Sequence, residues 1–462
     1  MIKINMSITP RALQSGLNKL FELSGSKILQ VERTWDPGSG SPVFTREGKY
    51  VSRGWTEWTQ GFQFGSALLQ FDAMGDPAFL EMGKQNTLRY MAKHISHVGV
   101  HDHGFNIVST YGNLLRMMNE GKIANNVWER RFYELAVKIS GAIQARRWTH
   151  IKDGGGYIYS FNGPHSLFAD TIRSLRVVGM SHRLGHVLLE ENDREVNLLG
   201  RLIEHARATA RYSVYYGEGR DAFDIRGRVA HESIFNDGSY RCPNSQQGYS
   251  PFTTWTRGLA WIMCGIAEQL EFLDTLSDAE YQPFGGKTQI LEMMRKAAQA
   301  TSDFYIEFTP ADGIPYWDTG APLLHRLGDY LSRPADPFND YEPVDSSAAA
   351  VAAQGLLRLG HYLRTTGDEK NGNRYWQSGL TVLESLLLPP YLNENENHEG
   401  LILHSVYHRP NGWDHIPKGH KIPCGESSMW GDYHAREVAL YLQRIINDEP
   451  YLVFWKSLNG NI

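Results

Sequence analysis

Only three cysteines occur among the 462 residues, Cys242, Cys264 and Cys424. Their spacing fits neither a metal-ligand pattern nor an even disulfide framework. That excludes a disulfide-stapled scaffold, and Cys264, inside an apolar helical run, reads as a small buried hydrophobe. No stretch reaches the ~18 uninterrupted apolar residues of a membrane span, and the opening MIKINMSITPRALQSG lacks an apolar core of signal-peptide length. The expectation is a cytoplasmic protein with no membrane partner, or a periplasmic one if a leader has been removed. Positive charge is not in excess either: formal net charge is −5, so no basic stripe is available to displace counterions from nucleic acid. HExxH and comparable zinc motifs are missing, exact internal repeats are missing, and strand signal is sparse.

Helical periodicity dominates. About twelve amphipathic segments satisfy the i, i+3, i+4, i+7 test. They fall near 10–24, 60–74, 77–98, 104–120, 125–147, 168–190, 192–215, 255–275, 286–308, 345–366, 369–388 and 427–447. The best strand candidate is GRVAHESIFNDGSYRC, where Asn236-Asp237-Gly238 is a hairpin-turn sequence. Long connections at 147–167, 216–254, 309–344 and 389–426 hold much of the Gly, Pro, Trp and Tyr, and such lengths usually carry function. Twelve helices with these connections suit an all-α chain of six helical hairpins closed into a ring, with long loops forming a cleft at one mouth. No linker is visible, so residues 1–462 are expected to form one domain.

The aromatic share is 12%, with 12 Trp, 23 Tyr and 19 Phe. A flat ring covers the C–H face of a sugar while its rim leaves the hydroxyls to polar groups, so this composition is compatible with carbohydrate binding. Four local clusters stand out. TEWTQGFQFG (56–65) gathers Trp58, Gln60 and Phe62 at a helix start, where a hydrophobic staple is the ordinary explanation. VHDHGFN (100–106) packs His101, Asp102 and His103 before a helix; Asp102 fits a zinc ligand or a plain N-cap. In FNGPHSLFADTIRSLRVVGMSHRLGH (161–186), Asp170 lies at a helix start. Capping and the helix dipole, with Arg173 one turn on, would lower its pKa, whereas a second carboxylate such as Asp102 would raise it. In HESIFNDGSYRCPNSQQGYSPFTTWTRGLAW (231–261), Arg257 and Trp261 share a helix face. Arg257 beside aromatic rings suits a carboxylate-bearing sugar, or else pairs with a buried acid.

Taken in order, these clusters resemble the unsaturated glucuronyl hydrolases, glycoside hydrolase family 88. WTQGFQFG is similar to that family's Trp-Thr-x-Gly-Phe segment, HDHGF to its His-Asp-x-Gly-Phe, and ADTIRSL to its Asp-bearing helix start. QGYSPFTTWTRGLAW resembles Gln-Gly-Tyr followed by Trp-x-Arg-Gly-x-Ala-Trp. DSSAAAVAAQGLLRL (345–359) and SSMWGDYHAREVAL (427–440) resemble its Asp-Ser-Ser-Ala and Trp-Gly-Asp-Tyr helices. The likeness spans about residues 55–445. Two departures stand out: Ser250-Pro251-Phe252-Thr253 replaces acidic residues after Gln-Gly-Tyr, and Thr171-Ile172-Arg173-Ser174 replaces a Met-Asn tendency. Arg173 and Arg176 are therefore expected to add positive charge near the site.

The resemblance implies an (α/α)6 barrel and a reaction needing no metal and no cofactor. The implied substrate is an oligosaccharide with a 4,5-unsaturated uronic acid at its nonreducing end. Asp170 would protonate C4 of the vinyl ether and then take a proton from water adding at C5, with Asp102 orienting the ring and keeping Asp170 protonated. Trp58, Phe62, His101, His231, Gln247, Trp255, Arg257 and Trp261 are carried over as binding groups. This chemistry differs from ordinary glycosidases, whose two carboxylates flank the scissile bond. Fold does not fix reaction, so a lyase or epimerase on the same toroid, and a non-catalytic carbohydrate-binding barrel, are the competing readings.

Overall fold

The chain, described by a computed structural model over residues 1–54, 57–456 and 458, is mostly helical with minor sheets. Trp55 and Thr56, at the head of the first motif, lie outside the described residues. Helices in the first half are α1 (Gln14–Thr34), α2 (Gln60–Met74), α3 (Pro77–Tyr90), α4 (Ala92–Ile95), α5 (His103–Ile107), α6 (Asn113–Asn119), α7 (Val127–Arg146), α8 (Thr171–Ser174), α9 (Arg176–Arg183) and α10 (Leu198–Ala208). The second half adds α11 (Thr256–Leu273), α12 (Asp278–Tyr281), α13 (Lys287–Phe308), α14 (Ser346–Thr365), α15 (Glu369–Leu386) and α16 (Met429–Ile446). A π-helical segment, Val108–Gly112, joins α5 to α6.

Two classes of helix emerge, and their sequences explain them. α11 is buried at every residue, and α2 and α16 nearly so; the acids that α11 and α16 carry inward at Glu268, Glu271 and Glu437 are paired with buried arginines. α1, α3, α7, α10, α13 and α15 are amphipathic and bury one face only. Packing follows this division. α2 packs on α5, α6 and the π segment, α5 on α8 and α9, α8 on α11, α11 on α14, α14 on α16, and α16 back on α2. Outside them, α1 and α3 lie on α2, α7 and α10 on α9, α13 on α11, and α15 on α14.

The strands sit in the long connections. β1 (Pro42–Arg46) pairs with β2 (Lys49–Ser52), β3 (Trp148–His150) with β4 (Gly156–Ile158), and β6 (Leu188–Glu190) with β7 (Arg194–Val196). β5 (Ser166–Phe168), β8 (Glu232–Asn236) and β9 (Ser239–Asn244) form a three-stranded antiparallel sheet. The expected hairpin is β8–β9, with Asp237 and Gly238 both at positive φ, +48° and +73°, as its two-residue turn demands. One expected helix is replaced. The 168–190 segment begins in β5, breaks between α8 and α9 and ends in β6, because Ser166–Phe168 pairs with Glu232–Ile234 of a distant loop.

Candidate active site

Asp102 and Asp170 each stand immediately before a helix, α5 and α8, yet neither side chain accepts a capping hydrogen bond there. Elsewhere the chain caps in the ordinary way: Asn126 accepts from Trp128 and Glu129 at α7, and Asp345 from Ser347 and Ala348 at α14. The two uncapping carboxylates converge on one imidazole. His101 Nε2 lies 3.2 Å from Asp170 Oδ1 and 3.7 Å from Asp102 Oδ1. His101 is buried, while the two carboxylate side chains keep 10% and 11% of their surface exposed.

The backbone makes this meeting possible. A Cβ on Gly104 would stand 1.9 Å from the carbonyl oxygen of Ser174, and one on Gly265 would stand 2.8 Å from Arg173 N, so α5, α8 and α11 abut main chain to main chain. Ser174 Oγ donates to the His101 carbonyl (2.7 Å), and Gln144 Nε2 donates to the same oxygen (2.8 Å). Gly104→Ala should therefore destabilise the fold by about 3 kcal/mol, the upper range for overpacking, and should lower turnover as the two helix starts separate. An unchanged urea-unfolding midpoint would contradict that packing.

Electrostatics splits the pair. Burial pushes Asp102 up to about 6, with Asp170 adding to the rise and His101 opposing it. Burial would raise Asp170 too, but the hydrogen bond and charge of His101, with His231 and Arg257 behind, hold its carboxyl below the usual range. Burial disfavours the His101 imidazolium, yet the two carboxylates outweigh it and raise that ring's pKa. Of these groups His101, its pKa raised, is favoured over Asp170 as the holder of a proton, and its Nε2 is hydrogen-bonded to that carboxylate. Arg173 is not among the groups that lower Asp170.

The remaining sequence-selected residues fall into two groups. His231 accepts at Nδ1 from the backbone of Gln246 and Gln247 (3.0 and 3.2 Å), which leaves Nε2 without a protein partner; burial pushes it down to about 4. Gln247 Oε1 accepts from Arg257 Nη2 at 3.0 Å. Trp58 is half-buried and stacks on Trp430 at 5.0 Å. Of these, His231 lies close enough for its charge, like that of His101, to act on Asp170. Phe62 and Trp261 are buried among Phe105, Tyr433 and His434. Trp255 is buried between His231 and Arg257.

Arg257 does not present a free guanidinium to a sugar carboxylate. It donates to Asp345 Oδ2 (2.8 Å), the Val406 carbonyl (2.5 Å) and the Tyr407 carbonyl (2.8 Å) besides Gln247. Its head lies between Trp255 and Trp430, 4.7 and 4.9 Å from their ring centroids. The pairing with a buried acid holds, and its charge reaches the site through Gln247. Arg173 and Arg176, expected near the site, lie elsewhere. Both are buried against Glu268 and Glu437 in the core, so they add no charge to the site. His103 is likewise taken up elsewhere, by Ser140 Oγ and the His97 carbonyl at 2.6 Å each. Among the described residues no group of three or more His, Cys, Asp or Glu is placed to hold a metal ion.

Sequence reasoning missed His408, Tyr407, Trp413 and the stacking role of Trp430. The 405–415 loop folds back so that its carbonyls hold Arg257, and burial with Arg257 and His231 nearby pushes His408 down to about 4. The only signal in the sequence was the aromatic and histidine density of SVYHRPNGWDH.

No family model matches the chain. The unsaturated chondroitin disaccharide hydrolase of Streptococcus pyogenes serotype M1 is 23% identical over 416 residues, 88% of this chain and 86% of that protein. The crystal structure of the unsaturated glucuronyl hydrolase of Bacillus sp. GL1 matches with a TM-score of 0.69 and 20% identity, covering 96% of this chain and 98% of that one. A variant of the Streptococcus agalactiae unsaturated glucuronyl hydrolase, complexed with dGlcA-GalNAc6S, matches with a TM-score of 0.61 and 19% identity, covering 97% and 98%. The chain is a distant, full-length homologue of unsaturated glucuronyl and chondroitin disaccharide hydrolases, in sequence and in structure.

Proposed function

We propose that the protein is a glycoside hydrolase that removes a 4,5-unsaturated uronic acid from the nonreducing end of lyase-generated oligosaccharides. A single (α/α)6-barrel catalytic domain spanning residues 1–462 carries the reaction. One observation bears most of the weight: His101 Nε2 touches two carboxylates, each released from capping the helix behind it. Such a cluster holds one proton among three groups and can deliver it to a substrate.

The uronate binds with its ring against Trp58 and its carboxylate toward His231 Nε2 and Gln247, where the Arg257 charge lies behind. The incoming negative charge raises the proton affinity of Asp170, which takes the proton along its hydrogen bond from His101. Asp170 then protonates C4. The C4=C5 electron pair forms the new C–H bond, and the positive charge is shared by C5 and the ring oxygen. Water adds to C5 and returns a proton to Asp170. The hemiketal opens by breaking the C5–ring oxygen bond, and the C1 hemiacetal then expels the aglycone sugar as an alcohol. The dGlcA-containing ligand of the homologous structure supports this substrate class.

Incubation with an unsaturated disaccharide should abolish the ultraviolet absorbance of the C4=C5 bond and release the second sugar. Growth of that absorbance from a saturated polymer would instead identify a lyase. The rate should also report the shared proton. Because Asp170 draws its proton from His101, whose pKa the two carboxylates raise, kcat/KM should fall on the alkaline side as the His101 imidazolium loses that proton. Asp102→Asn removes a negative charge that holds the proton on His101 and Asp170, so the falling limb should move to lower pH. A profile that stays flat to alkaline pH, or is unmoved in Asp102→Asn, would rule out the shared proton.

A further inference from the structure

Helix α7 turns one face inward, through Tyr133, Ala136, Val137, Ser140, Gly141 and Gln144. An amphipathic outer helix sets polar side chains on the opposite face, and its counterparts do so. The exposed residues of α13 include Gln289, Glu292 and Lys296, and those of α15 include Glu369, Lys370 and Asn373. On α7 the outward face is apolar instead. Trp128 is 76% exposed, Leu135 52% and Phe132 41%. The row continues through the half-buried Ile139 and Ala142. Positions 128, 132, 135, 139 and 142 advance by four and three residues in turn, the spacing of a helix–helix seam. Roughly 400 Å² of apolar surface lies open there, the scale at which a patch on a single chain marks an interaction site.

This face is complementary to itself. The seam is bulky at its N-terminal end, with Trp128 and Phe132, and small at its C-terminal end, with Ala142. A second copy laid antiparallel sets the large end of each helix on the small end of the other and opposes the two helix dipoles. The charges agree. Glu134 and Lys138 stand one turn apart on the same flank of Leu135, and Glu134 meets Arg130 at 3.9 Å, the outer limit of an ion pair. A two-fold axis close to Leu135 and Ala136 brings Glu134 of each copy level with Lys138 of the other. A parallel pair would set Trp128 on Trp128 and lose both matches. Arg131, on the same flank, lies over its own Trp128 ring at 5.7 Å. We propose that α7 is a self-association surface, on which two copies of this chain pair antiparallel along Trp128, Phe132, Leu135, Ile139 and Ala142, each Glu134 opposite the other copy's Lys138. The apolar strip forms the centre of an isologous contact, about half of the roughly 800 Å² that a standard interface buries on each partner, with the charged flanks as its rim. The pairing is independent of the hydrolase reading and goes beyond it.

Sedimentation equilibrium of the full chain at micromolar concentration should return twice the chain mass. Leu135→Glu should weaken the pairing about hundredfold, because it sets two carboxylates against each other near the axis. Its far-ultraviolet circular dichroism should match the parent's, since Leu135 is exposed. Glu134→Lys and Lys138→Glu should each weaken the dimer about fivefold, and the double variant should regain the parent affinity, because the exchange reverses both pairs together. A monomer at every concentration would overturn the proposal. So would a dimer indifferent to Leu135→Glu, which uses another face, or a charge exchange that fails to restore the pairing. Leu135-dependent binding of a monomeric chain to vesicles of phosphatidylcholine and phosphatidylglycerol would give the face to a lipid surface and overturn it as well.

Discussion

Asp170→Asn should lower kcat/KM on an unsaturated disaccharide by about 10³-fold or more, because one side chain serves as acid in the first step and base in the second. Asparagine preserves the volume and can still accept from His101 Nε2, now 3.2 Å from Asp170 Oδ1, so the unfolding midpoint should stay close to the parent's. Substrate affinity should fall little, since Trp58, His231 and Gln247 are untouched; the loss belongs in kcat. Asp102→Asn should cost less, because Asp102 reaches the same imidazole at 3.7 Å and acts through it. The double variant should be scarcely slower than Asp170→Asn alone, as expected of groups that share one proton. Retention of parent activity within tenfold in Asp170→Asn would remove Asp170 from the chemistry. A normal rate in Asp102→Asn with an unmoved pH profile would leave Asp102 a bystander.

How much of this was legible in the chain depends on the distance over which each feature is determined. Local features were plain. Gln60–Met74 occupies the span its periodicity assigns, Thr256–Leu273 falls within 255–275, and Asn236-Asp237-Gly238 turns as its φ preferences require. Features fixed by distant partners were not. Leu167 enters a strand because Ser233, far along the chain, pairs with it, and no helical period records that. Asp102 and Asp170 looked like caps, and only the abutment at Gly104 and the position of His101 explain why they are not. The sequence around Arg257 suits a ligand or a buried acid equally; its partner, Asp345, caps the DSSAAAV helix from far along the chain. The partners that take Arg173 and Arg176 away from the site, Glu268 and Glu437, lie far along the sequence. A signal did exist, since Glu268 interrupts the fully buried α11 and an isolated core carboxylate demands a cation.

That pairing leads to the largest expected loss of stability. Arg173 meets Glu268 at 3.0 Å and Glu437 at 2.9 Å, Arg176 meets Glu437 at 3.1 Å, and Arg358 meets Glu271 at 2.7 Å. Three guanidinium groups and three carboxylates, all buried, join α8, α9, α11, α14 and α16. Burial alone would raise Glu437, but Arg176 and then Arg173 hold it far below the usual carboxylate range. Arg173→Met deletes one cation and leaves its partners desolvated, so it should destabilise the protein by about 3–5 kcal/mol, a large part of the roughly 5–15 kcal/mol typical of a folded chain. Combining it with Glu437→Gln restores neutrality, and the double variant should be more stable than the two single losses added together. The sign with pH follows from Glu437: its depressed pKa adds stability above the ordinary glutamate range, and that stability is lost only as pH falls through the folded value. Arg173→Met should therefore narrow the gap to the parent in strongly acidic solution. Urea midpoints across pH for the four proteins decide the matter. Parent-like stability of Arg173→Met, or strict additivity in the double variant, would mean the network does not lock α8 in place. Because Asp170 stands three residues before Arg173, such a result would also require another anchor for the proposed proton donor.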